Sequence, residues 1–167
     1  DDLNVLAVIP ARGGSKGVPL KNLREVEGMP IVELAARVAN TVDFIDKVIV
    51  STDHDGIARS AISGGAEAPF MRPKELSGDR VSDVQVLTHS LLEMEKKDRK
   101  TYSIIIMLQP TSPLRRSSHV LETIEKLTRK NLDAVWTISE TDSKSHPLKQ
   151  LLVKNNLLGY YDEKGKE

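Results

Sequence analysis

A chain of 167 residues is sized for about one domain around a single core. Lysine plus arginine balances aspartate plus glutamate at 24 each, so no global field draws the chain to nucleic acid or to an anionic membrane. Cysteine is absent, which excludes disulfides, thiolate metal sites and cysteine nucleophiles; with no apolar run near the ~20 residues of a membrane span, the expectation is a soluble, intracellular, cytoplasmic protein.

The first predicted element is a buried strand over the apolar run Leu3 to Ile9, broken by Pro10. After it comes Ala11-Arg12-Gly13-Gly14-Ser15-Lys16-Gly17-Val18-Pro19-Leu20-Lys21-Asn22-Leu23-Arg24, which contains four cations and no Asp or Glu. Gly13, Gly14 and Gly17 lack Cβ, so positive φ is open to them and several N–H groups can turn toward one anion. The spacing matches neither G-x-x-x-x-G-K-[ST] nor G-x-G-x-x-G, which argues against a P-loop or dinucleotide fingerprint.

Pro30 to Val42 then reads as a helix with Ile31, Leu34, Ala35, Val38 and Val42 on one face. Lys47 to Thr52 reads as a strand, and His54 to Ser63 as a segment ended by Gly64-Gly65. Asp53 between them is a strand-end carboxylate for magnesium or ribose, or a helix N-cap, and the cap is preferred. Ala66 to Met71 is a short apolar piece leading to Arg72-Pro73, and Lys74 to Arg80 reads as an exposed loop. A helix capped by Ser82 or Asp83 carries the stripe Val84, Val86, Leu87, Leu91 and Met94.

Tyr102 to Leu108 is the most apolar run and is expected to be the central strand, buried on both sides. The prolines of Pro110-Thr111-Ser112-Pro113 end it. A helix capped by Ser117 or Ser118 runs to about Lys130, Ala134 to Ile138 is expected as a further strand, and Leu151 to Tyr161 as a hairpin across Asn155-Asn156. Alternating strands and helices imply an α/β fold, a doubly wound, mostly parallel sheet whose ligands bind beyond the carboxyl ends of the strands.

Taken together, IPARGGSKGVPLKNL, Val50-Ser51-Thr52-Asp53, Met71-Arg72-Pro73, Leu108-Gln109-Pro110-Thr111-Ser112-Pro113-Leu114-Arg115 and His146-Pro147-Leu148-Lys149 resemble, in the same order, the acylneuraminate cytidylyltransferases, or CMP-sialic acid synthetases. The resemblance spans nearly the whole chain. It implies a three-layer nucleotide-diphospho-sugar transferase fold, Rossmann-like, in a single nucleotidyltransferase domain over 1–167, usually a homodimer. It also implies transfer of CMP from CTP to N-acetylneuraminate or a related nonulosonate with release of pyrophosphate. Kdo activation fits less well.

By that resemblance Arg12, Ser15, Lys16 and Lys21 hold the triphosphate, with Arg12 or Lys21 the catalytic cation, and Asn22 reads the cytosine edge. Ala11, Gly13, Arg72 and Ser82 complete the nucleotide-binding set, while Gln109 and Lys149 meet the acidic sugar. Fixed cations suit a reaction in which charge builds on phosphate oxygens. Other readings remain for individual residues: Ser15 as a turn cap, Asn22 as a helix-end partner, Ser82 as a helix cap, and His146 as structural. No metal ligand is expected within these residues. The family's paired aspartates and an aromatic segment preceded by Asn-Gly lie C-terminal to them, so the chain reads as a shortened version whose Mg²⁺ ligands lie beyond it. A non-catalytic nucleotide-binding or interaction domain is the alternative.

Overall fold

The computed structural model describes residues 3–140 and 147–162, in two compact units divided after Asp133. In the first, β1 (Val5–Pro10) leads into the basic loop, and a small hairpin, β2 (Glu25–Val26) with β3 (Met29–Pro30), follows. Next come α1 (Ile31–Asn40), β4 (Lys47–Ser51), α2 (Asp55–Ser63), α3 (Asp83–Asp98), β5 (Ile104–Met107) and α4 (Ser117–Arg129).

The sheet is parallel in the order β4-β1-β5, with Val8 opposite Ile49 on one side and Met107 on the other. Because side chains alternate along a strand, β1 serves two cores. Ala7 and Ile9 pack with α1, α2 and α4, while Leu6 and Val8 pack with Ile49, Met94 and Tyr102 beneath α3. Helices on both faces of a parallel sheet give the expected three-layer α/β architecture.

β1, not the 102–108 run, is the middle strand of the described sheet. β5 is shorter than that run, and Ile105 to Met107 are only half-buried, because β1 alone pairs with β5 among the described residues. On the far edge, Glu67 extends the sheet by exchanging backbone hydrogen bonds with Val48 and Val50. Gly64 closes α2 where a side chain could not fit: a Cβ there would lie 2.6 Å from the Glu33 carbonyl and 2.8 Å from Ala36 Cβ of α1. Gly65 then turns the chain at φ +93.

Two local expectations change. Arg116 precedes the first turn of α4, its N–H donating to His119 Nδ1, so Ser117 and Ser118 are inside the helix rather than capping it. In the second unit, residues 134–138 form no ladder, with Trp136 and Ile138 85% and 92% exposed. Strand propensity alone does not make a strand, because it reflects packing against cross-strand neighbours rather than an intrinsic backbone preference. The hairpin is present: β6 (Leu151–Lys154) pairs antiparallel with β7 (Leu157–Tyr160), and Asn155 and Asn156, at φ 54 and 61, supply the left-handed pair of a type I′ turn.

Candidate active site

Where the chain order of the sheet reverses, the loops after β1 and β5 leave side by side. A cleft of about 590 Å³ opens there, within the size range of small-molecule sites. It is lined by Arg12, Ser15, Lys16, Lys21 and Asn22 from the basic loop, Arg72 from the far wall, and Gln109 from the end of β5. Seven of the residues read from the sequence as ligand-binding thus share one cleft.

The loop is held by backbone and side-chain contacts rather than by left-handed glycines. Among the described residues only Gly28 and Gly65 are glycines at positive φ, so Gly13, Gly14 and Gly17 do not form the expected nest; Leu20 takes φ 47 instead. Gly13 serves close approach instead, since a Cβ there would lie 3.0 Å from His54 Cβ. Its N–H donates to Asp53 Oδ1 at 2.8 Å. That amide is therefore engaged by protein.

Asp53 is accordingly a tether and not the cap of α2. The cap is His54, whose Nδ1 accepts the N–H groups of Gly56 and Ile57 at 3.1 and 3.4 Å. Asn22 is buried and donates from Nδ2 to the Arg12 carbonyl at 3.0 Å, so it braces the loop while lining the cleft. Ala11 is fully buried behind the cleft, its N–H donating to the Ser51 carbonyl at 3.0 Å.

The same Ser51 oxygen accepts Arg72 Nη2 at 2.6 Å. Arg72 is 6% exposed, and burial lowers its pKa, opposed in part by the Asp53 carboxylate. Its Nε finds no hydrogen-bond partner among the described residues. A guanidinium so placed, paired with carbonyls and with no carboxylate in contact among the described residues, suits an anion.

Two carboxylates that sequence reasoning missed also line the cleft. Asp79 accepts Arg12 Nη1 at 2.7 Å and also pairs with Lys16; those two cations hold its carboxyl below the ordinary aspartate range, Lys16 contributing most. Asp83 Oδ2 accepts Gln109 Nε2 at 3.4 Å. Asp79 lies in the stretch read as an exposed loop, and a lone aspartate carries no signal for pairing with a loop 67 residues away. Ser82 accepts the Gln85 N–H at 3.3 Å in a capping box that starts α3, and it is not among the cleft-lining residues. The Lys149 side chain and His146 lie outside the described residues.

Among the described residues no three carboxylates or histidines gather into a metal site, and both cleft carboxylates already accept from cationic or amide donors. The described residues therefore do not by themselves fit a magnesium ion. No helix among them is long and apolar enough to cross a membrane.

A family model described as Cytidylyltransferase matches residues 6–167. The chain is 34% identical over 135 residues to N-acylneuraminate cytidylyltransferase A of Danio rerio, covering 81% of this chain and 30% of the relative. It is 30% identical over 161 residues to pseudaminic acid cytidylyltransferase of Campylobacter jejuni, covering 95% and 68%. It is 33% identical over 139 residues to CMP-N,N'-diacetyllegionaminic acid synthase of Legionella pneumophila, covering 82% and 60%. The chain thus spans from under a third to about two thirds of these relatives. Among solved structures, a CMP:2-keto-3-deoxy-manno-octonic acid synthetase complexed with CTP superposes with a TM-score of 0.62 at 25% identity, covering 77% of this chain and 48% of that one.

Proposed function

The chain belongs to the cytidylyltransferase family, and we propose that its protein transfers CMP from CTP to an acidic nine-carbon sugar, N-acetylneuraminate or a related nonulosonate, releasing pyrophosphate. The observation that carries this reading is the convergence of Arg12, Lys16, Lys21 and Arg72 on the cleft that Gln109 also lines. Relatives named for sialic, pseudaminic and legionaminic acids support the substrate class. A structural neighbour complexed with CTP supports the nucleotide.

In the proposed reaction a sugar hydroxyl attacks the α-phosphorus and gives up its proton to solvent, the bond to the bridging oxygen breaks, and pyrophosphate leaves. Arg12 and Lys21 meet the charge that develops, Lys16 and Ser15 hold the triphosphate, and Arg72 contributes a desolvated cation from the opposite wall. Asn22 selects cytosine, and Gln109 and Lys149 contact the sugar. Magnesium accompanying the triphosphate, with ligands C-terminal to these residues, and a homodimeric assembly belong to the same proposal. The test is pyrophosphate release by the full-length protein with CTP and a panel of nonulosonates and Kdo. Turnover of one nonulosonate supports the reading, and CTP binding without turnover of any would favour a non-catalytic nucleotide-binding domain.

A further inference from the structure

Arg115, beyond the turn that follows β5, is half-buried and lies outside the cleft lining. Its Nη2 donates to the Gln109 carbonyl at 3.1 Å, an oxygen that also accepts the Ser112 N–H at 3.3 Å. The Arg115 N–H in turn donates to the Ser112 carbonyl at 3.2 Å. Residues 109–115 are thereby stitched back onto Gln109, the residue this segment presents to the cleft beside Asp83.

The charge on Arg115 is as notable as its hydrogen bonds. Nη1 is buried and has no partner among the described residues, nor does any described carboxylate form an ion pair with the group. Burial alone lowers its pKa. A guanidinium whose only purpose was to close a turn would be cheaper to place fully in water or beside a carboxylate, whereas a half-buried one with no carboxylate against it among the described residues extends its field toward the neighbouring Gln109.

We propose that Arg115 is a positioning residue for the co-substrate: it fixes Gln109 through its backbone carbonyl and, as a cation behind that residue with no ion-pair partner among the described residues, favours an anionic sugar over a neutral one. This rests on the functional reading above and deepens it. Arg115 acts through Gln109 and through its field, without touching the sugar. CTP, held by the loop after β1 and by Arg72, is largely indifferent to it.

The experiment uses the full-length protein with Arg115→Met, which keeps an unbranched stem and loses both the charge and the hydrogen bond to the Gln109 carbonyl, and Arg115→Lys, which keeps the charge and loses the fork. In Arg115→Met the KM for the acidic sugar should rise about tenfold or more and kcat should fall, with the KM for CTP within about twofold of wild type. Arg115→Lys should recover most of the loss in sugar KM, as a purely structural turn-closing role would not require. Equal rises in both KM values, wild-type kinetics in Arg115→Met, or a lysine variant as impaired as methionine in sugar KM each overturn the proposal. If Arg115→Met does not fold, as read by its melting curve, Arg115→Lys decides alone: near wild-type sugar and CTP KM values with reduced kcat support it, and a rise in CTP KM overturns it. A wild-type protein that turns over no acidic sugar removes the functional reading and this inference together, whereas normal wild-type turnover with any of the contrary variant results removes this inference only.

Discussion

Asp79 Oδ1 lies 2.7 Å from Arg12 Nη1, so a carboxylate from the loop before α3 occupies one of the guanidinium's donors at the mouth of the cleft. Its other oxygen pairs with Lys16. One aspartate thus pairs with two cations assigned to the triphosphate and offsets part of their charge.

A nucleotide that uses Arg12 and Lys16 competes with this carboxylate. Asp79→Asn should therefore bind CTP tighter, by about 3- to 10-fold in Kd by titration calorimetry, the scale of a partly exposed charge pair. Weaker binding by the variant would show that Asp79 instead holds the loop in its binding geometry. The folded-state pKa of Asp79 is depressed below its ordinary 3.8, so the clamp is fully present above that value and is lost as pH falls through the lowered one. The difference between variant and wild type should accordingly be flat from about pH 5 to 8 as far as Asp79 is concerned.

Lys21 begins a short helical turn, Lys21–Leu23, exposed at the cleft wall. If it stabilises charge on departing pyrophosphate, Lys21→Ala in the full-length protein should lose on the order of 10²- to 10³-fold in kcat. CTP affinity should fall much less. Normal turnover would leave Arg12 as the catalytic cation of this loop.

Ser82 separates two roles cleanly, because its hydroxyl serves the capping box with Gln85. Ser82→Ala should reduce stability by about 1 kcal/mol in chemical denaturation. The KM for CTP should stay within about twofold of wild type. A stable variant with a large rise in that KM would return Ser82 to the nucleotide site.

Gly64 tests the packing of α2 on α1. An added Cβ would press on the Glu33 carbonyl at 2.6 Å, which no side-chain rotation relieves. Gly64→Ala should cost about 1–3 kcal/mol, read as a lower denaturation midpoint. Unchanged stability would mean that the helices separate more readily than their contacts imply.

The basic window 10–24, the alternation of strands and helices, and the Asn155-Asn156 hairpin were legible because each rests on local chemistry: charge, side-chain periodicity, or backbone preference. Their gathering at strand ends was legible as well, since a parallel sheet presents its carboxyl ends on one side. Arg12, Lys21, Arg72 and Gln109 accordingly line one cleft.

What the amino-acid order alone determined, then, is the residue types of the site and the class of sheet that carries them. Tertiary structure decided which strand is the middle one of the described sheet, because β1 owes its place to ladders with both β4 and β5 rather than to its own hydrophobicity, in which the 102–108 run exceeds it. It also decided that Gly13 serves close approach to His54, that Asp53 tethers the loop, and that Asp79 reaches Arg12. These are contacts between residues 40 or more positions apart, set by how the layers stack, and no local propensity encodes them.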